Sequence, residues 1–274
     1  MCIRALFNSC EPDIGVNDMV LDFWLLLVIV IILGFIMEVV DAAIGMGYGT
    51  ILTPVLFVIG FDFFQIVPAV LISQCIGGLL ASLFHHKFKN VNFAMKDEHL
   101  RTAIVLGVLS AAGAVASVLV ATSLPKFYLS LYIGLLATIL GIVVFATRNK
   151  KYVFSWPKII VIGLLAAFNK GLSGGGYGPI VTAGQIMSGV AERSAVSITS
   201  LSEVLVSLTA VFTYMLIRGS VDWILTLCLV ISVSFSAPVA AFIIKRTESG
   251  KLKVLIGVAT SLLGLGTILK ATLS

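Results

Sequence analysis

Long apolar blocks separated by short polar stretches run the whole length of this chain. Eight hydrophobic blocks can be read, at about 20–44, 64–84, 101–123, 127–147, 157–172, 194–218, 222–244 and 252–272. A helix of about 20 apolar residues crosses the hydrocarbon core of a bilayer. Two further apolar stretches, about 46–60 and 175–190, are too short or too broken for independent crossings. They read as re-entrant half-helices, because irregular backbone at membrane depth is tolerated only inside protein or along a cavity. The pattern predicts an all-α integral membrane protein with about eight transmembrane helices and two broken half-helices.

Both broken stretches open on glycine clusters, Gly45–Gly49 (GMGYG) and Gly174–Gly178 (GGGYG). A shift of 129 residues lays Gly45–Gly60 on Gly174–Gly189, and seven of the 16 positions match. The matches are Gly45/Gly174, Gly47/Gly176, Tyr48/Tyr177, Gly49/Gly178, Ile51/Ile180, Thr53/Thr182 and Gly60/Gly189. Glycine-interrupted hydrophobic segments at corresponding places in two halves point to a transporter binding site.

Composition agrees with the class: of 274 residues 59% are hydrophobic and 11% charged, with a mean hydropathy of +1.13. The net charge of +5 does not indicate nucleic acid, because the basic residues lie between blocks, where they set topology. The segments His85–Arg101, Arg148–Lys158 and the one after block seven hold 12 of the 18 basic residues. All three are expected to be cytoplasmic. Parity then places the N-terminus outside and lets one broken hairpin dip in from each face, so that the halves form two inverted repeats. The expected divisions are an extracytoplasmic segment 1–19, a first repeat 20–147, a cytoplasmic linker 148–156 and a second repeat 157–274. Trp24, Trp156 and Trp223 read as interface anchors, and His85 and His86 as interfacial. Small residues in block three, Gly107 and Ser110 among them, permit close helix packing. Cys75 and Cys228 read as small apolar residues within spans.

The segment Asn169–Pro179 (NKGLSGGGYGP), with Gly189 beyond, resembles the second-repeat motif of the sulfite exporter TauE/SafE family. Asp41–Thr50 (DAAIGMGYGT), with Pro54, resembles the first-repeat motif; it departs from the second copy in Met46 for Gly175 and Thr50 for Pro179. The resemblance covers nearly the whole chain. It implies a multi-pass permease of the cell membrane, in many members linked to export of sulfite, sulfonates or related small organic anions.

The residues themselves are compatible with an anion. A half-helix begins after each glycine turn, and its free N–H groups and positive dipole end favour negative charge. The candidate substrate-binding residues are Gly45, Gly47, Tyr48, Gly49, Thr50, Thr53, Lys170, Ser173, Gly174, Gly175, Gly176, Tyr177, Gly178 and Thr182. Thr50, Thr53, Ser173 and Thr182 would add hydroxyl donors. Lys170, well inside its block, would supply a full positive charge. Glu38, Asp41 and Glu203 also fall within spans, where ionisable groups usually face a polar pathway. Under the repeat Asp41 aligns with Lys170 and Gln74 with Glu203. One arrangement pairs Asp41 with Lys170 near the two-fold axis; another gives Glu38 or Glu203 a coupling proton. Structural glue between helices is the plain alternative.

The leading expectation is a secondary transporter of a small sulfur-containing anion, working by alternating access. The alternative is the same fold moving another organic acid or a cation, coupled through the carboxylates. No HExxH motif or nucleotide-binding loop is present, so no catalytic residues, metal site or cofactor are expected. The expected partners are the anionic substrate and the lipid bilayer, with a homo-oligomer left open and no nucleic acid.

Overall fold

The computed structural model describes residues 16–45, 48–94, 98–146, 156–187, 190, 192–244, 258, 261–262, 265–270 and 272. Among them, every regular element is a helix: α1 (Val16–Ile44), α2 (Tyr48–Ile59), α3 (Phe63–Lys87), α4 (Glu98–Ser123), α5 (Lys126–Ala146), α6 (Trp156–Ser173), α7 (Tyr177–Met187), α8 (Glu192–Arg218) and α9 (Trp223–Ile244). The expected segment 1–19, the linker 148–156 and the last block fall wholly or mostly outside the described residues. Gly47 and Gly189 lie outside them as well.

Five stretches among the described residues are long and apolar enough to cross a membrane: Trp24–Ala43, Phe63–Lys87, Glu98–Ser123, Arg193–Arg218 and Trp223–Ile244. The two stretches that follow the glycine clusters are helices of 12 and 11 residues, far short of a crossing. The packing is inside-out relative to a water-soluble protein. Large apolar side chains such as Ile32, Val108, Phe212 and Phe235 face outward. Ser73, Gln74, Ser110, Lys170, Ser202 and Glu203 are buried. In hydrocarbon, polar groups must find partners within the protein, so they collect on inward faces.

The helices pack in the order α1, α9, α3, α8, α4, α6. The 129-residue shift carries α1 onto α6, α2 onto α7 and α3 onto α8, and the packing order reads the same from either end. The centre is the pair α3 and α8: 67% of each span is buried, against 28% for α1. These two helices run antiparallel, since the Arg218 guanidinium at the end of α8 lies 4.0 Å over the Phe64 ring at the start of α3. Close approach rests on small residues. A Cβ on Gly78 of α3 would meet the Ser200 carbonyl oxygen at 2.7 Å, and one on Gly34 of α1 would meet Ser232 Oγ of α9 at 2.9 Å.

Short connections gather at one end of the bundle. Asp62 caps α3 in a reciprocal capping box with Gln65, the arrangement that satisfies orphan N–H groups at a helix start. Lys126 pairs with Asp62, Gln65 Nε2 donates to Asp222 Oδ2 at 3.0 Å, and Arg218 donates to the Thr122 carbonyl. At the opposite end, Asn90 just beyond α3 donates to the Ala241 carbonyl near the end of α9 at 2.9 Å. The loops with few basic residues therefore share one end, and α3 and α9 both close near basic segments at the other. Trp24 and Trp223 are exposed, as interface anchors would be.

Candidate functional site

α1 and α6 end in the same way. Gly45 has φ +73° and Gly174 φ +71°, left-handed values that a glycine adopts without a Cβ penalty. Gly45 N–H donates back to the Asp41 carbonyl at 2.5 Å and Gly174 N–H to the Lys170 carbonyl at 2.7 Å. These are the same bond under the repeat. α2 and α7 then start at Tyr48 and Tyr177. Tyr48 Oη lies 2.8 Å from Ser73 Oγ of α3, and Tyr177 Oη donates to Ser202 Oγ of α8 at 3.1 Å. Ser73 and Ser202 are again 129 residues apart, so both tyrosines anchor their half-helices to the central pair.

The two breaks lie directly against each other. A Cβ on Gly49 would overlap the Gly174 carbonyl oxygen, one on Gly175 would overlap the backbone between Gly49 and Thr50, and one on Gly178 would come 2.7 Å from the Gly45 carbonyl oxygen. Backbone meets backbone here, which is why neither cluster carries a side chain at these positions. Gly176 N–H donates to Thr50 Oγ1 at 2.9 Å. Ser173 Oγ accepts from Gly175 N–H at 3.1 Å and donates to the Asn169 carbonyl at 2.8 Å. Thr182 donates to Thr199 Oγ1 at 2.9 Å. Three of the four hydroxyls singled out in the sequence thus have protein partners; Thr53 Oγ1, fully buried, has none.

Beside the breaks sits the charged cluster. Lys170 is completely buried. Its ammonium forms an ion pair with Glu203 and donates to Gln74 Oε1 at 2.7 Å. Gln74 Nε2 donates in turn to Glu203 Oε1 at 3.0 Å, closing a triangle across α3, α6 and α8. The lysine's partner is therefore Glu203, whereas the sequence suggested Asp41. The 129-residue register placed Asp41 and Lys170 at equivalent places, and equivalent places on the corresponding helices α1 and α6 need not touch. The pair that does touch through the register is Gln74 and Glu203, from the central helices α3 and α8. Asp41 and Glu38 remain in the electrostatic field of Lys170 and Glu203. Glu38 is buried, Oε1 lies 2.9 Å from where a Gly77 Cβ would stand, and Oε2 has no hydrogen-bond partner. Such an atom is costly in a dry interior.

His85 corrects another expectation. His86 is exposed, as an interfacial residue would be. His85 is fully buried, with Nε2 2.9 Å from the Ala42 carbonyl oxygen and Nδ1 3.1 Å from Asn90 Nδ2. Proximity to basic Lys87 suggested the interface, but α3 turns this face toward α1. Ser73, Ser202, Gln74 and Tyr214 were not singled out as site residues either; the repeat register applied to α3 and α8 was the signal that could have found them. Among the described residues, no group of three or more His, Cys, Asp or Glu is placed to hold a metal ion.

A membrane-embedded helical bundle with two glycine-broken helices meeting beside a buried lysine defines a membrane transporter class. The family comparison makes that specific. The model of the sulfite exporter TauE/SafE family matches residues 30–267, and the chain belongs to that family. It is 24% identical over 243 residues to a probable membrane transporter protein, YtnM, of Bacillus subtilis (strain 168), covering 84% of this chain and 79% of that one. No solved structure matches significantly. The protein is thus a multi-pass membrane transporter by family.

Proposed function

We propose that this protein is a secondary transporter of a small sulfur-containing anion, sulfite or an organosulfonate, working by alternating access between two inverted repeats. The observation that carries the reading is Lys170: a fully buried ammonium one turn before the second break, hydrogen-bonded to both central helices. A cation at that depth is expensive and marks an ion pathway more often than it serves packing. Thr53 Oγ1, buried and unpaired, is a hydroxyl able to donate to an incoming oxyanion.

The ion pair with Glu203 sets the mechanism. Glu203 and Gln74 take two of the three donors of the Lys170 ammonium and Glu203 neutralises its charge, so the substrate gains the full cation by exchanging with the Glu203 carboxylate. The released carboxylate then joins Glu38 and Asp41 in a buried cluster of three carboxylates, and a proton taken up with the substrate offsets the added negative charge. Anion binding and proton uptake are coupled on this account. The antiparallel α3 and α8, matched across the register, support a rocking motion in which each break faces one side in turn.

A second reading keeps the fold and changes the cargo. Three carboxylates share this region with one lysine, a formal charge of −2 before any protonation, which favours a cation or a proton-coupled organic acid. Proteoliposomes loaded with a pH-sensitive dye and challenged with radiolabelled sulfite separate the two. The proposal requires saturable sulfite uptake over empty liposomes, accompanied by a proton flux. Sulfite at the empty-liposome level, with proton flux driven by another acid, would falsify the substrate and select the second reading.

A further inference from the structure

The carbonyls at the end of a helix lack intrahelical partners, and the second broken helix leaves such an acceptor inside the protein, away from water. In the second half it is the Gly171 carbonyl. The N–H that a continuing helix would bring to it, that of Gly175, donates to Ser173 Oγ instead. The Tyr214 hydroxyl of α8 donates to this carbonyl at 3.2 Å. In the first half the equivalent acceptor is the Ala42 carbonyl, and His85 Nε2 of α3 lies 2.9 Å from it. Ala42 and Gly171 are 129 residues apart, and so are His85 and Tyr214. Two different side chains do the same work at repeat-related places. Because α3 and α8 run antiparallel, the two caps lie toward opposite ends of the bundle.

We infer that His85 and Tyr214 are a matched pair of positioning residues for transport, each capping the broken helix of its own half and holding its bend in place. A carbonyl only accepts, so His85 carries its proton on Nε2. Nδ1 is then a bare acceptor for Asn90 Nδ2, an amide nitrogen that also donates to the Ala241 carbonyl of α9. The neutral Nε2–H tautomer satisfies every contact the ring makes. His85 thereby ties α1, α3 and α9 together one residue after Asp41. The inference rests on the transporter reading for its functional half and on hydrogen-bond geometry alone for its tautomer.

The test has two arms. The chain holds three histidines, His85, His86 and His99, so nitrogen NMR of protein labelled in histidine, with His85→Gln to assign the signal, reads the tautomer directly at neutral pH. A protonated Nε2 with an unprotonated Nδ1 is expected; the opposite tautomer or an imidazolium overturns the inference. In proteoliposomes given sulfite, His85→Leu should slow transport about tenfold, the weight of one ordinary hydrogen bond. His85→Gln, whose amide can donate to Ala42 and accept from Asn90, should restore the rate to within about twofold, the scatter of such contributions. Unchanged transport in His85→Leu, or equal loss in both variants, overturns it. If wild type does not move sulfite, the substrate proposal fails while the NMR arm still decides the tautomer, and a His85→Leu variant that fails to fold leaves that arm intact.

Discussion

Replacing Lys170 by alanine would leave Glu203 buried with only Gln74 for a partner. Removing one member of a buried ion pair costs about 3–5 kcal/mol, because the other charge stays behind without compensation. Lys170→Ala should therefore lower the thermal unfolding midpoint in detergent markedly. The double variant Lys170→Met/Glu203→Gln removes both charges and should recover most of that loss, since neutral replacements of a buried pair are often tolerated. A double variant as unstable as the single one would show that Lys170 packs for reasons other than its charge. Asp41→Asn distinguishes a working carboxylate from structural glue: the coupling account expects the proton flux that accompanies uptake to change, while glue leaves flux and uptake alike. At this scale the sequence was partly legible. Lys170 stood out because a lysine deep in an apolar block is poorly placed to snorkel to an interface, and its burial agrees. Its partner did not stand out, because side-chain pairing depends on which helices lie at the centre of the bundle. His85 was misread for a similar reason, since a histidine next to lysine at the end of a span reads as interfacial until the neighbouring helix is placed.

The glycine breaks are the elements on which the site is built, and their glycines differ in kind. Gly174 is required by its φ of +71°; alanine there should cost about 1–2 kcal/mol through left-handed strain. Gly49 is required by contact, because a Cβ there would overlap the Gly174 carbonyl. The obstacle is backbone and cannot turn aside, so Gly49→Ala should prevent the breaks from meeting and cost at least as much as overpacking a core, about 1–3 kcal/mol. Gly266 is the control: among the described residues nothing stands within 4 Å of its Cβ position, and alanine in a helix is better than glycine by up to about 1 kcal/mol. Thermal unfolding of the three variants should rank Gly266→Ala at or above wild type and Gly49→Ala lowest. Gly49→Ala at the wild-type midpoint would contradict the back-to-back packing. The breaks themselves were plain in the sequence, because glycine clusters in apolar runs have few other uses. That the half-helices touch each other was not, since distance between two halves of a chain leaves no mark on either alone.

For the molecule as a whole, the proposed inverted arrangement makes a directional claim. In a background with the four cysteines replaced, Lys126→Cys and Ser220→Cys should react with an impermeant thiol reagent added outside intact cells. Lys89→Cys should react only after the membrane is opened. Labelling of all three from one side would contradict the parity on which the inverted repeats rest. The helix order and the positions of the breaks followed from block lengths and the 129-residue register, and the packing order about α3 and α8 agrees with that register. The central claim concerns charge: a small sulfur oxyanion displaces Glu203 from Lys170. Its most direct measurement is the transport current of purified protein on a supported-membrane electrode. Sulfite, sulfoacetate, isethionate, acetate and sodium would be given in turn to wild type and to Lys170→Met/Glu203→Gln. The account predicts currents for sulfite and sulfoacetate, whose second negative charge the coupled proton leaves unbalanced, no net current for singly charged isethionate, and none for any of them in the double variant. Currents for sodium alone, or oxyanion currents that survive the loss of both charges, would contradict it.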